Sequence, residues 1–470
     1  MCDQPGILAL ELYFPKCYVE QSDLEEAHQN SAGGGSVRGK YTKGFGQLQM
    51  GYCSDREDAV SIALTVTSQM LDRCQLDCAR VGRLEVGSET LVDKSKSVKS
   101  RLMALLRERG SSGDVEGVDA LNACFGGTQA LLNAFHWLES TAWDGRLALV
   151  VMADVAVYSP LSPSARATGG AGGCALLLGP HAPLILDWPR ATSFHMDDVY
   201  DFYKPNMASE YATVDGQLTL RSYLTAAQRC YARFREKRRR LGSDRASAGA
   251  AVVPNGPTPS SRRLVQKTLS RLHALEEANA DDNDKEMEGK IALDLDKETE
   301  RRLLADSAGL FEAKCEPHLF FSRRVGNMYT ASLYANLSAF LAGLDPSSPP
   351  VSAKRLLLFS YGSGCASAVF SLAIRPRVTP EELRRLTAGS VAAKERLGQR
   401  RGTSVEEFES ALEGRERLLG KAPYQPTGAV SDACLFENAY YLAGIDHMWR
   451  RVYKRRQPVQ SLKLKGFEMD

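Results

Sequence analysis

No apolar run in the 470 residues approaches the roughly 20 that carry a helix across a bilayer, so no membrane-spanning helix is expected. The opening stretch MCDQPGILALELYFPKCYVEQSDLEE lacks the basic start and apolar core of a secretory signal. It also lacks the Arg-rich, acid-poor character of a mitochondrial presequence, and the expected location is cytoplasmic. Net charge is nearly absent, +2 in all, which removes any electrostatic reason to expect a nucleic-acid partner. Eleven cysteines are scattered singly with no CxxC pair, a pattern that suits reduced thiols and argues against a disulfide framework or a zinc site. Phosphate loops are missing too: GSG at 362–364 and TGGAGG at 168–173 lack the GxxxxGK[ST] and GxGxxG contexts and read as tight-turn glycines. Histidine is scarce, seven residues, with none between His195 and His273.

What is present is an ordinary globular composition, 43% hydrophobic and 25% charged, in a chain long enough for two domains or one large duplicated one. GILALELYF, VGRLEVGSET and GRLALVVMADVAVYS read as strands. The stretch opening at Ser54 with Glu57 as a capping box, KSVKSRLMALLRERG and GGTQALLNAFHWLEST read as helices. Their alternation argues for an α/β protein. NACFGGTQALLNAFHWL, GRLALVVMADVAVYS and TGGAGGCALLLG give turn, helix, buried strand, glycine-rich stretch and strand. GNMYTASLYANLSAFLAGL and AKRLLLFSYGSGCASAVFSLAI give that order again, which suggests an internal duplication about a pseudo-twofold axis. Residues 241–261 and 276–290 read as exposed or disordered segments, 381–419 as surface helices and the basic end RRVYKRRQPVQSLKLKG as a solvated face.

Two residues stand out chemically. Cys124 precedes Gly126, Gly127 and Thr128, where a strand must turn into a helix. The unpaired amides of that helix start would stabilise a thiolate and lower its pKa, although a lone cysteine before glycines is more often structural. Glu89 closes a strand, where a partly buried carboxylate can serve as a general base, against the blander reading of a capping or surface glutamate. His195, in SFHMDDVYDFYKP, reads as a structural histidine.

GILALELYFP, GKYTKGFGQLQMGYCSDRED, GRLEVGSETLVDKSKSVK, NACFGGT, WDGRLALVVMADVAVY, YDFYKP, LVQKTL, GNMYT and FSYGSG occur in order over nearly the whole chain. Through them the sequence closely resembles the hydroxymethylglutaryl-CoA (HMG-CoA) synthase family of the thiolase superfamily, in its eukaryotic cytosolic form. The resemblance implies a thiolase-like fold, two duplicated α/β halves (3–180 and 181–470) in a layered α-β-α-β-α arrangement. It implies that Cys124 carries an acetyl group from acetyl-CoA and that Glu89 takes a methyl proton from it, so that the carbanion attacks acetoacetyl-CoA. Amides of Cys124 and Ser363 would form the oxyanion donors, and Tyr158, Thr168, Thr219 and Asn327 would line the acyl pocket. Arg263 and Lys267 would hold CoA. No cofactor is implied beyond the CoA thioesters, which are substrates; a homodimer is implied, with a product feeding isoprenoid or sterol synthesis.

The chain departs from the family in two places. Ser164 stands near the position of an asparagine that contacts CoA. Before LVQKTL the family has an apolar strand leading to a catalytic histidine; here AAVVPNGPTPSSRR puts Thr258 in the histidine's place, and the strand reads as missing. A wrongly spliced or divergent segment would account for this. So would an impaired or non-catalytic acyl-CoA-binding protein of the same fold, which is the alternative function.

Overall fold

The computed structural model describes residues 4–31, 36–187, 191–242, 251–254, 262–278, 295–348 and 354–458. Long apolar runs bounded by glycine or polar turns become the strands of one ten-stranded sheet. In chain order these are β1 (Gly6–Tyr13), β2 (Val81–Gly87), β3 (Asp119–Ala120), β4 (Leu147–Ala156) and β5 (Gly170–Gly179). The rest are β6 (Leu184–Leu186), β7 (Ser193–Met196), β8 (Ala251–Pro254), β9 (Lys354–Gly362) and β10 (Ala366–Ile374). Across the sheet the order is β8-β9-β10-β6-β1-β5-β4-β2-β3, with β7 beside β10.

The duplication is visible in the pairing. β2 runs parallel to β4, β4 antiparallel to β5, and β5 antiparallel to β1. In the same way β8 runs parallel to β9, β9 antiparallel to β10, and β10 antiparallel to β6. The two sets meet where β1 pairs with β6. Two helices stand at equivalent places, α3 (Gly126–Glu139) leading into β4 and α6 (Ser332–Leu341) leading into β9.

Helix position follows polarity. α1 (Ala59–Cys74) is buried along most of its length, its small hydroxyl residues Ser61, Thr65, Thr67 and Ser68 included, and packs on β1, β4 and β5. α2 (Val98–Glu108) buries one face. So does α7 (Pro380–Leu397), which sets Leu383, Leu386 and Ala393 against β1, and α8 (Val405–Leu418) buries Phe408 and Leu412. Two long amphipathic helices, α4 (Gly216–Arg240) and α5 (Arg262–Ala278), pack together over the second half.

Several sequence expectations change. The capping box at the start of α1 is Asp58 with Ser61, not Ser54 with Glu57: Ser61 N donates to Asp58 at 2.8 Å and the Ser61 hydroxyl is 2.8 Å from Asp58 N. Asp55 instead holds residues 424–428, accepting from Tyr424 Oη (2.8 Å), Thr427 N (2.7 Å) and Gly428 N (2.8 Å). TGGAGG is mainly strand, its last four residues opening β5. A Cβ on Gly172 would fall 2.4 Å from Met328 Sδ, so close packing, not turning, explains that glycine. The helices over 381–419 are half-buried rather than surface helices, for the reason just given. The basic end is partly paired: Arg451 meets Asp58 at 2.9 Å, Arg455 meets Asp72 at 3.0 Å, and Arg456 is buried against Asp432.

The missing strand is present. β8 forms from the short apolar stub AVVP and pairs parallel with β9 from Ala251↔Leu356 to Pro254↔Phe359. Its place at the edge of the sheet tolerates the proline that ends it, because no further strand needs that N–H. Thr258 lies outside the described residues, as do 243–250, 255–261 and 279–294.

Candidate active site

Cys124 stands in the turn between β3 and α3, and two close approaches fix that turn. A Cβ on Gly87, at the end of β2, would lie 2.4 Å from Gly127 Cα, so only glycine lets α3 start against the strand. From the other half, a Cβ on Gly362 would lie 2.5 Å from both Asn122 O and Phe125 N. The glycine turn after β9 therefore abuts the cysteine turn, and Asn122 Nδ2 donates to Ser363 O at 3.2 Å. Thr128, in the first turn of α3, donates to Ser360 of β9 at 2.7 Å and sits 3.0 Å from Tyr334 Oη of α6. Ala123, immediately before the cysteine, has φ +43°, a left-handed conformation that costs a residue with a Cβ.

The thiol meets a carboxylate: Cys124 Sγ donates to Glu89 Oε2 at 3.4 Å. Glu89 Oε1 accepts from Lys204 Nζ at 2.9 Å. Both Cys124 and Glu89 are buried. Burial first, then the charges of Glu89 and Asp154, push the thiol pKa up, against a smaller downward pull from Lys204. This corrects the expectation of a thiolate stabilised by the start of α3. Phe125 caps that helix without a side-chain hydrogen bond, and desolvation beside two carboxylates outweighs the helix end. Burial therefore favours the thiol form, with a carboxylate already in contact.

Asp154 organises both sides of this pair. It interrupts the otherwise apolar β4 and is fully buried. Its Oδ1 accepts from Glu89 N (2.8 Å), Thr90 N (3.0 Å), Thr90 Oγ1 (2.9 Å) and Ser88 Oγ (3.0 Å). Its Oδ2 accepts from Thr330 N (3.0 Å) and from the Thr330 hydroxyl. Burial, and next the Glu89 charge, raise its pKa from 3.8 to about 6, against the hydrogen bonds that lower it.

The expected pocket residues divide. Tyr158 packs with Cys124, Ala156 and Tyr329, and Asn327 Nδ2 donates to Tyr158 Oη at 3.4 Å. Asn327 Oδ1 accepts from Tyr329 N at 2.8 Å, which ties GNMYT to the same wall. Thr168 is buried, its hydroxyl bonded to Ala165 O at 2.7 Å. Thr219 donates to Asp201 O (3.1 Å) and Asp215 O (2.8 Å) at the start of α4. It reaches the Ser363 turn only through Asp201, whose carboxylate accepts from Gly364 N (2.8 Å) and Tyr361 Oη (2.7 Å). Arg263 is exposed in the first turn of α5, and Lys267, one turn on, pairs with Glu300 at 3.0 Å. Ser164 accepts from Lys40 Nζ at 2.6 Å. His195 lies on β7 opposite Ser367, its pKa lowered by burial and by Arg229 and Arg233. Among the described residues no cluster of three or more His, Cys, Asp or Glu is gathered to hold a metal.

Asp154, Lys204 and Tyr329 were not singled out in the sequence. Asp154 had a signal, a lone carboxylate in LALVVMADVA, because a charge is buried there only where donors converge on it. Lys204 and Tyr329 lie within YDFYKP and GNMYT, but nothing in those stretches shows that they meet Glu89.

The family profile described as "Hydroxymethylglutaryl-coenzyme A synthase N terminal" matches residues 1–183, and the one described as "Hydroxymethylglutaryl-coenzyme A synthase C terminal" matches 185–456. The chain belongs to the hydroxymethylglutaryl-CoA synthase family. It is 42% identical to the cytoplasmic synthase of Rattus norvegicus over 96% of this chain and 87% of that one. Against the cytoplasmic synthase of Homo sapiens it is 41% identical over the same shares. The mitochondrial synthase of Rattus norvegicus is equally similar, 42% over 96% and 89%. Among solved structures, MvaS in complex with 3-hydroxy-3-methylglutaryl coenzyme A superposes with a TM-score of 0.80 at 29% identity, covering 97% of this chain and 100% of that one. PksG, an HMG-CoA synthase from Bacillus subtilis, shares the fold at a TM-score of 0.76 and 19% identity over 96% and 100%. The thiolase-like α/β fold and membership of an enzyme family agree with the sequence reading, and the non-catalytic alternative is not favoured.

Proposed function

We propose that the chain condenses acetyl-CoA with acetoacetyl-CoA and hydrolyses the product from the enzyme as HMG-CoA, with Cys124 as acyl carrier and Glu89 as base. The observation that carries this is the 3.4 Å contact between a buried thiol and a buried carboxylate at the junction of the two halves. Cys124 sulfur attacks the acetyl carbonyl carbon as its proton moves to Glu89. The carbon–sulfur bond to CoA breaks, and CoA leaves with a proton. The acetyl-thioester has acidified methyl hydrogens, and Glu89, freed of its proton, takes one. The resulting carbanion forms a carbon–carbon bond to the ketone carbon of acetoacetyl-CoA, whose π pair moves to oxygen and takes up the proton that Glu89 removed, giving the hydroxyl. Water then cleaves the Cys124 thioester, giving the free carboxylate and a released proton and restoring the thiol.

Amides of Cys124 and Ser363, on abutting turns, are proposed as donors to the thioester oxygen. Tyr158, Asn327, Thr168 and Thr219 are proposed to shape the acyl pocket, and Arg263 and Lys267 to meet CoA phosphates. Lys267 already pairs with Glu300, so CoA would have to draw it away. Beyond the CoA thioesters, no cofactor enters these steps. Mass-spectrometric detection of HMG-CoA from the two thioesters and the full chain tests the reading, and absence of product overturns it.

A homodimer is also proposed. Among the described residues β3 is the last strand of the sheet, and Val118 and Leu121 beside it are 62% and 59% exposed, near exposed Leu91 and Trp449. An edge strand flanked by apolar side chains suits a second copy, and a monomeric mass in sedimentation at micromolar concentration would exclude it. The cytoplasm is the proposed location, supported by the cytoplasmic relatives, although mitochondrial forms match similarly. Mitochondrial localisation of the tagged full chain would overturn it.

A further inference from the structure

Lys204 lies in YDFYKP, just past the short strand Phe202–Tyr203. Its ammonium is 2.9 Å from Glu89 Oε1, 4.3 Å from the centre of the Tyr329 ring and 5.5 Å from that of Phe202. The ion pair is largely shielded, with side-chain exposures of 21% for Lys204 and 4% for Glu89. Each carboxylate oxygen thus has its own partner: Oε1 the cation, Oε2 the thiol.

Among the described residues, the other titratable groups beside Glu89 are acidic or neutral. Cys124 comes from the turn before α3 and Asp154 from β4, Tyr158 from the loop after β4 and Tyr329 from the turn before α6. A carboxylate held by the thiol alone would be free to rotate away from it. A cation fixed on the other oxygen opposes that rotation.

We propose that Lys204 is the positioning residue of this site, holding the Glu89 carboxylate turned so that Oε2 faces Cys124. The proposal rests on the reading of Glu89 as base. It assigns to Lys204 no bond to substrate. The aromatic rings of Tyr329 and Phe202 hold the ammonium by cation–π attraction, so its position does not depend on Glu89 alone.

The test follows exchange of solvent deuterium into the methyl group of acetyl-Cys124 in the full chain, for the unmodified protein, Lys204→Met, Lys204→Arg and Glu89→Ala. Lys204→Met is expected to slow exchange at neutral pH about 100-fold and acetylation of Cys124 clearly less, because carbon is the weaker acid. Lys204→Arg should recover most of the exchange. An arginine variant no better than methionine, or acetylation falling as far as exchange, would each overturn the proposal. Exchange lost in Glu89→Ala but unchanged in Lys204→Met overturns it alone. Exchange kept in Glu89→Ala, or missing from the acetylated unmodified chain, overturns the base reading and this proposal with it.

Discussion

In the unmodified chain acetyl-CoA is expected to leave an acetyl group on Cys124; in Cys124→Ala it should leave none, and HMG-CoA formation should fall below detection. The loss should be complete because among the described residues no other thiol is so placed: Cys124 is bonded to Glu89 and lies where the turns of both halves meet. Glu89→Ala separates the two steps. Acetylation moves a proton between two sulfurs, and removing Glu89 also removes one of the charges that raise the Cys124 pKa, so the loss of a base is partly offset. Abstraction from carbon has no such compensation, since a methyl group is a far weaker acid than a thiol. Condensation in Glu89→Ala should therefore fall about 10³- to 10⁴-fold while acetylation falls much less. Peptide mass spectrometry after incubation with acetyl-CoA, set beside product formation, checks both. Equal losses in the two steps would contradict the division of roles.

Asp154→Ala is expected to destabilise the fold by roughly 3–5 kcal/mol at pH 7, read from urea denaturation. The variant removes the acceptor of the Glu89 and Thr330 amides and of the Thr90 hydroxyl, while Thr90 N keeps Ser88 Oγ and the Ser88 and Thr330 hydroxyls keep Ala153 O and Gly87 O. A loss under about 1 kcal/mol would mean that those donors find other partners. The pH dependence has a definite sign. Because the folded state raises the Asp154 pKa from 3.8 to about 6, the part of stability that comes from proton uptake, separate from the hydrogen bonds lost in the variant, is fully present below 3.8 and is lost as pH rises through about 6. Asp154→Ala should lack that slope while remaining less stable throughout. Activity should fall with it, since the same carboxylate holds the backbone of Glu89 on one side and the Thr330 turn on the other.

Much of this was legible in the chain. β4 and β9 announce themselves as apolar runs, and the order of turn, helix and strand that repeats in the sequence becomes the same succession of strand pairings about the β1–β6 contact. Where the reading failed, the reason was tertiary. Ser54 with Glu57 has the spacing of a capping box, and only the folded chain, where Asp58 and Ser61 bond reciprocally at the start of α1, shows which pair caps the helix. AVVP looked too short and too proline-bound to be a strand. A parallel neighbour at the sheet edge lets it pair.

The site divides in the same way. By itself the sequence determined the family, and through its motifs it singled out Cys124 and Glu89 as the candidate acyl carrier and base. The state of those residues was decided only by the folded chain. A helix start suggested a low thiol pKa; burial beside Glu89 and Asp154 makes it high, because removing water from an anion near other anions outweighs a few backbone dipoles. The partners were hidden for a related reason: Asp154 and Lys204 lie 65 and 115 residues from Glu89 along the chain. Local pattern reports which face of an element is buried, whereas only the closing of the sheet determines which charges are buried together.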